Sequence, residues 1–168
     1  NIELKGFQET AVKQLREDVE FARTEAARGR QQAIVLSSPT GSGNTVTVTA
    51  LMERIYEGDD SFPSDREAVF LWVSDSPELN AQSFDKIVKQ SSLFPKSRLV
   101  RIEPPFSQER FEAGKIYFLN TQKLGKDSLL TKTGDGRDYT IWQTIQNTAA
   151  AKPASFYVIL DEAHRGMS

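Results

Sequence analysis

The sequence predicts an α/β fold, with a mostly parallel sheet and helices on both of its faces. Three observations lead there. Five short apolar runs, rich in β-branched and aromatic residues, lack the polar alternation of a half-exposed strand and so suit burial on both sides. Amphipathic stretches with helical spacing separate most of them, as crossovers between parallel strands require. The chain has 168 residues, 38% of them apolar and 26% charged, enough for one ordinary domain with its own core and not for a disordered or fibrous protein.

Taken in order, Phe7, Ala11, Val12, Leu15, Val19 and Ala22 recur every three or four residues and predict a first helix, with charged residues opposite and Gly29 as its stop. Gln32–Leu36 (QAIVL) is the first buried strand. It runs into Ser37–Thr45, too rich in glycine and serine to be regular, and then into a helix through Leu51, Ile55 and Tyr56. Ala68–Val73 (AVFLWV) is the second strand, and Ser76-Pro77 after it is an N-cap followed by proline at the first helical position. That helix carries Leu79, Phe84, Ile87 and Val88. Arg98–Ile102 and Lys115–Asn120 (KIYFLN) are strands three and four. Leu124–Thr140 is polar, holds Gly134-Asp135-Gly136, and predicts a long exposed loop, its charges solvated rather than touching a ligand. Ile141–Ala151 is a helix and Phe156–Leu160 (FYVIL) the last strand. Trp72 and Trp142 are expected as packing residues.

Several functions are excluded at once. There is no cysteine, so neither disulfides nor thiolate metal sites exist. With His164 as the only histidine, a two-histidine zinc site is impossible. No apolar run is long enough to span a bilayer as a helix, and no signal segment precedes the first helix, which leads us to expect a cytoplasmic chain. A start at Asn1 reads as a piece of a longer protein. The net charge of −2, from 21 basic and 23 acidic residues, advertises no nucleic-acid partner in bulk, so any such partner must be argued from local sites.

Parallel sheets bind ligands beyond the carboxyl ends of their strands, and both chemical motifs fall there. In Ser38–Thr45 (SPTGSGNT), Gly41 and Gly43 let backbone N–H groups turn inward around a polyphosphate. Thr40, Ser42 and Asn44 complete the turn, the next helix adds the positive end of its dipole, and Thr45 can offer a hydroxyl to Mg²⁺. Against the general pattern G-x-x-x-x-G-K-[ST], Ser38 replaces the leading glycine and Asn44 the lysine, so a neutral amide stands where a cation should meet the phosphates. The alternative is a solvated Gly/Ser turn. In Asp161-Glu162-Ala163-His164, two acids directly after a buried strand are costly unless they hold a cation or face a wet cleft. Asp161 suits Mg²⁺ and Glu162 the polarisation of an attacking water. A given four-letter string arises by chance in about one sequence in a thousand of this length.

Together these motifs, SPTGSGNT and DEAH, resemble the first RecA-like P-loop NTPase domain of superfamily-two DEAH-box helicases, over essentially all of residues 1–168. The resemblance implies ATP and Mg²⁺ as cofactors, and Gln8 (in GFQETAV) as a reader of adenine, or else simply a polar helix start. It gives Asp161, Glu162 and His164 catalytic or coupling roles. Val73–Gln82 and Asn120–Leu124 resemble two backbone-gripping motifs, in which Ser76, Thr121 and Gln122 would touch DNA phosphates; the plainer alternatives are that Ser76 is an N-cap and that Thr121 and Gln122 close a strand. The spacing Asp75…Leu79…Gln82 and the run Thr121–Leu124 are most similar to motor subunits of type III (or type I) restriction enzymes. The parent protein is therefore expected to move on DNA by ATP hydrolysis, alongside a second RecA-like domain, a nuclease and a modification subunit, with no membrane partner. With Asn44 and without that second domain, the chain is expected to be nearly inactive. The rival is a degenerate module that keeps the fold as a scaffold for nucleic acid or protein. The family also places another strand between the two motif-bearing strands. Its absence after the DEAH strand predicts a gap in the sheet, unless the strands rearrange or a partner fills it.

Overall fold

Burial and strand pairing explain the architecture of this computed structural model, which describes residues 2–29, 33–38, 42–125, 129–132 and 138–161. The elements run α1 (Gly6–Ala27), β1 (Ile34–Ser38), α2 (Ser42–Glu57), β2 (Val69–Ser74), α3 (Pro77–Gln90), β3 (Leu99–Arg101), β4 (Ile116–Asn120), α4 (Ile141–Ala151) and β5 (Phe156–Asp161). Short 3₁₀ turns cover Lys96–Arg98, Thr121–Leu124 and Leu129–Thr131. All strand pairs are parallel, in the order β1-β5-β2-β4-β3.

The expected gap is absent. β1 pairs directly with β5, from Ile34 against Tyr157 to Ser38 against Asp161. Buried backbone N–H and C=O groups must find partners, and these two strands satisfy each other. Of the outcomes foreseen, the structure shows rearrangement.

Alternating residues divide the core in two. Ile34, Phe70, Trp72, Ile116, Phe118, Tyr157 and Ile159 face α1, α2 and α3. Val69, Leu71, Tyr117, Leu119 and Phe156 face the other way, onto Ile141 and Ala149 of α4 and onto Ile102, Phe111 and Leu130 from irregular chain. Aromatic contacts knit each layer: Tyr157 stacks on Phe70 at 5.3 Å, and Phe111 lies 4.4 Å from Tyr117. Trp72 is buried, as expected, while Trp142 is half exposed.

Two expectations change. Phe7 is 73% exposed, whereas Arg16 is buried. The inward row of α1 is Val12, Arg16, Val19 and Ala26, and Phe7, five residues before Val12, lies about 140° away around the helix. Arg16 is tolerated inside because it donates to Glu20 Oε1 at 2.6 Å and to the Pro63 carbonyl at 3.2 Å, and lies over the Phe62 ring. The polar stretch 124–140 is also not wholly exposed: Leu130 is buried beneath the sheet. Lys126, Asp127, Gly134–Gly136 and Arg137 lie outside the described residues.

A candidate nucleotide and nucleic-acid edge

Each of four strands ends its apolar run in a small or acidic polar residue: Ser38, Asp161, Ser74 and Asn120. Register makes them neighbours, with Ser38 and Ser74 opposite Asp161 on its two sides and Asn120 opposite Ser74. Side chains alternate along a strand. These four therefore share the face of Ile34, Trp72, Phe118 and Ile159, which is the face covered by α2 and α3. α2 begins four residues after Ser38, so its N-terminus opens onto this row. Asp161 is 8% exposed, which fits a carboxylate meant to face a cation.

Of the residues expected to hold phosphate, Ser42, Gly43, Asn44 and Thr45 form the first turn of α2. Exposed N–H groups and the dipole at such a helix start favour an anion. Thr45 is partly accessible, and its carbonyl accepts the Thr49 hydroxyl at 2.6 Å within the helix. Thr40, Gly41, Glu162 and His164 lie outside the described residues. The hydroxyl of Thr45 and the carboxylate of Asp161 are the hard oxygen donors that Mg²⁺ prefers, so the donor set fits Mg²⁺-ATP, with Asn44 as the discordant member.

Gln8 caps the first helix. Its Oε1 accepts the Lys5 N–H at 3.0 Å, closing a capping box at the start of α1. Glu9 beside it pairs with Arg54 in the last turn of α2 at 2.7 Å. Nine residues separate Arg54 from Thr45, roughly 14 Å along the helix.

Ser76 caps α3, accepting the Leu79 N–H at 3.2 Å and donating to Glu78 Oε2 at 3.1 Å. Its own N–H donates to the Ser74 hydroxyl at 3.1 Å, and the residue is 8% exposed. What α3 offers a phosphate is therefore its first-turn backbone rather than this hydroxyl. Thr121 and Gln122 form a 3₁₀ turn directly after β4, fixed by the Gln122 N–H donating to Asn120 Oδ1 at 3.0 Å. Lys123 in that turn is ion-paired with Glu103. Between this turn and the start of α3 lies a cleft of about 220 Å³ lined by Asn80, Arg101, Asn120 and Lys123. Sequence reasoning missed Ser74, Asn120 and Arg101 as members of this edge. The first two were legible as the polar residues closing apolar runs, whereas Arg101 joins only through the sheet order.

A parallel sheet whose polar residues meet at its carboxyl edge, beside a helix that opens there, defines a RecA-like P-loop domain. The family model described as type III restriction enzyme, res subunit, matches residues 1–168. The chain belongs to that family of superfamily-two helicase motor domains, which generally bind ATP, Mg²⁺ and DNA. No curated protein and no solved structure matches the chain. Among the described residues, no helix is long and apolar enough to cross a membrane.

Proposed function

We propose that residues 1–168 form the first RecA-like domain of a DNA-translocating restriction enzyme and bind Mg²⁺-ATP at the carboxyl edge. The observation that supports this most is the row Ser38–Asp161–Ser74–Asn120, facing the layer in which α2 begins. In this reading Thr40, Gly41, Ser42, Gly43 and Thr45 cradle the phosphates, and Thr45 with Asp161 holds the metal. Mg²⁺, when bound, supplies positive charge against the phosphate oxygens. Glu162, the next residue after β5, takes a proton from the attacking water, and His164 couples the site to a neighbouring domain. The first turn of α3 and the Thr121–Gln122 turn grip DNA phosphates without reading bases.

Asn44 weakens this site. A lost charge-assisted contact costs binding about 1.5–3 kcal/mol, and a lost transition-state cation about two or more powers of ten in rate. Arginines lent by a second RecA-like domain would be worth a further factor of about 10³ or more, so residues 1–168 taken by themselves should hardly turn over ATP. Asn44 also favours a second reading, a non-hydrolysing scaffold; Glu162, which a scaffold has no use for, argues the other way. The deciding experiment joins Asn44→Lys to a second RecA-like domain and measures ATP hydrolysis with and without DNA. DNA-stimulated turnover supports the motor, and silence supports the scaffold.

A further inference from the structure

From the cleft a charged surface continues off the carboxyl edge and down the side of β3. Arg101, the last residue of edge strand β3, lines the cleft on one side and on the other a wider groove of about 630 Å³. That groove runs between α3 and β3 and carries Lys89 from the end of α3 and Lys96 from the turn before β3. Asp85 is, among the described residues, the only acid lining it. Among the described residues, Lys89, Lys96 and Arg101 take part in no ion pair, as is also true of Lys5, Lys13 and Arg28 on and beside α1, but only the first three line one groove. Arg101 is also held in place, its guanidinium 4.4 Å from the Phe84 ring centroid.

We propose that a single nucleic-acid strand leaving the cleft continues round the sheet edge, with Arg101, Lys96 and Lys89 holding its successive phosphates. This rests on the motor reading and extends its track to a surface that none of the motifs covers. Phosphate chemistry suits the groove better than an acidic peptide does. Phe84 and Leu99 are each only 6% exposed and Val88 is partly accessible, so the preference for phosphate rests on the three cations against one acid. Arg101 also makes it continuous with the cleft between the two proposed backbone grips. Charges that merely guard a sheet edge sit on the edge strand itself, yet Lys89 is on a helix and Lys96 on a separate turn.

The test is fluorescence anisotropy of a labelled single-stranded oligonucleotide across a salt series. Three proteins are compared: the unaltered chain, K89Q/K96Q/R101Q, and a control with the same charge loss at exposed positions of α1 and its two caps, K5Q/K13Q/R28Q. Each phosphate contact to a single strand contributes about 0.7 to the slope of log K against log salt. The groove variant should therefore flatten the slope by about 2, R101Q alone by about 0.7, and the control not at all. Binding by the unaltered chain with an unchanged slope in the groove variant overturns the proposal and leaves the motor reading standing. Equal flattening in groove variant and control overturns it too, because bulk charge then accounts for the effect. So does a poly-glutamate peptide that needs these three cations while the DNA slope does not. No DNA binding by the unaltered chain overturns the motor reading itself, and this extension with it.

Discussion

Two buried aspartates stand at opposite ends of β5, and the molecule treats them differently. Asp65, beside the strand's start, is 6% exposed and bound from distant parts of the chain. Its Oδ2 accepts the Tyr157 hydroxyl at 2.7 Å, its Oδ1 accepts the Ser155 hydroxyl at 3.1 Å, and Arg23 lies 3.8 Å away. Arg23 also donates to the Ala154 carbonyl at 3.1 Å, tying α1 to the same corner. Burial first, and the charge of Asp65 next, push the Tyr157 phenol far above its ordinary value, so it stays a neutral donor. At the other end, the side-chain bonds of Ser74, Ser76 and Asn120 are short-range, reaching two or three residues along the chain. The Lys123–Glu103 pair ties two separate loops together there. Long-range bonds hold the amino edge as one piece; local bonds shape each carboxyl loop singly and leave the space between loops to a ligand. Stability is thus concentrated at one edge and binding at the other.

The contrast breaks most easily at Asp65. Asp65→Ala leaves Tyr157 and Arg23 without their buried acceptor and should cost about 3–5 kcal/mol in urea unfolding. Asp161→Asn should shift the same curve by less than about 1 kcal/mol, since the site gives up a buried charge. Equal losses would erase the distinction between the edges. Gly58, at the end of α2, sharpens the point. Its φ is +85°, and an added Cβ would lie 2.7 Å from the Ser64 nitrogen. Gly58→Ala should cost about 2–4 kcal/mol by the same assay, combining left-handed strain with overpacking. Gly29 has a similar φ of +78° but nothing near it, so Gly29→Ala should cost only about 1–2 kcal/mol. The smallest effect is electrostatic. The Arg54 hydrogen bond holds the Glu9 carboxyl below its usual 4.5, against a partial rise from burial. A depressed acid contributes stability above that usual value and loses it as pH falls through the lower, folded one. Glu9→Gln should therefore flatten the acid limb of a stability–pH curve, by under about 1 kcal/mol for a pair this exposed.

Much of this was legible in the sequence, for physical reasons. Runs such as AVFLWV and FYVIL have no polar face, so they had to be central strands, and Ser76-Pro77 marked the start of α3 to the residue. Ser38–Thr45 and Asp161 stood out as candidates because their chemistry is local, and the sheet register sets Asp161 beside Ser38. What failed was whatever depends on partners far along the chain. Arg16 looked like a surface charge until Pro63 and Phe62 closed over it. Gln8 offered two readings, and its bond to the Lys5 N–H gives it the helix-start role. The direct β1–β5 pairing and the place of Arg101 at the edge follow from strand order, which no short window of sequence carries.

The claim that the carboxyl edge is the nucleotide site is tested most directly by calorimetric titration of Mg²⁺-ATP. The proteins are the unaltered chain, Asn44→Lys, and Asn44→Lys combined with Asp161→Asn. A restored cation should tighten binding by about 10- to 100-fold, the equivalent of 1.5–3 kcal/mol, and Asp161→Asn should remove the dependence on Mg²⁺. If Asn44→Lys binds no better than the unaltered chain, or Asp161→Asn leaves the Mg²⁺ dependence intact, the nucleotide does not sit at this edge.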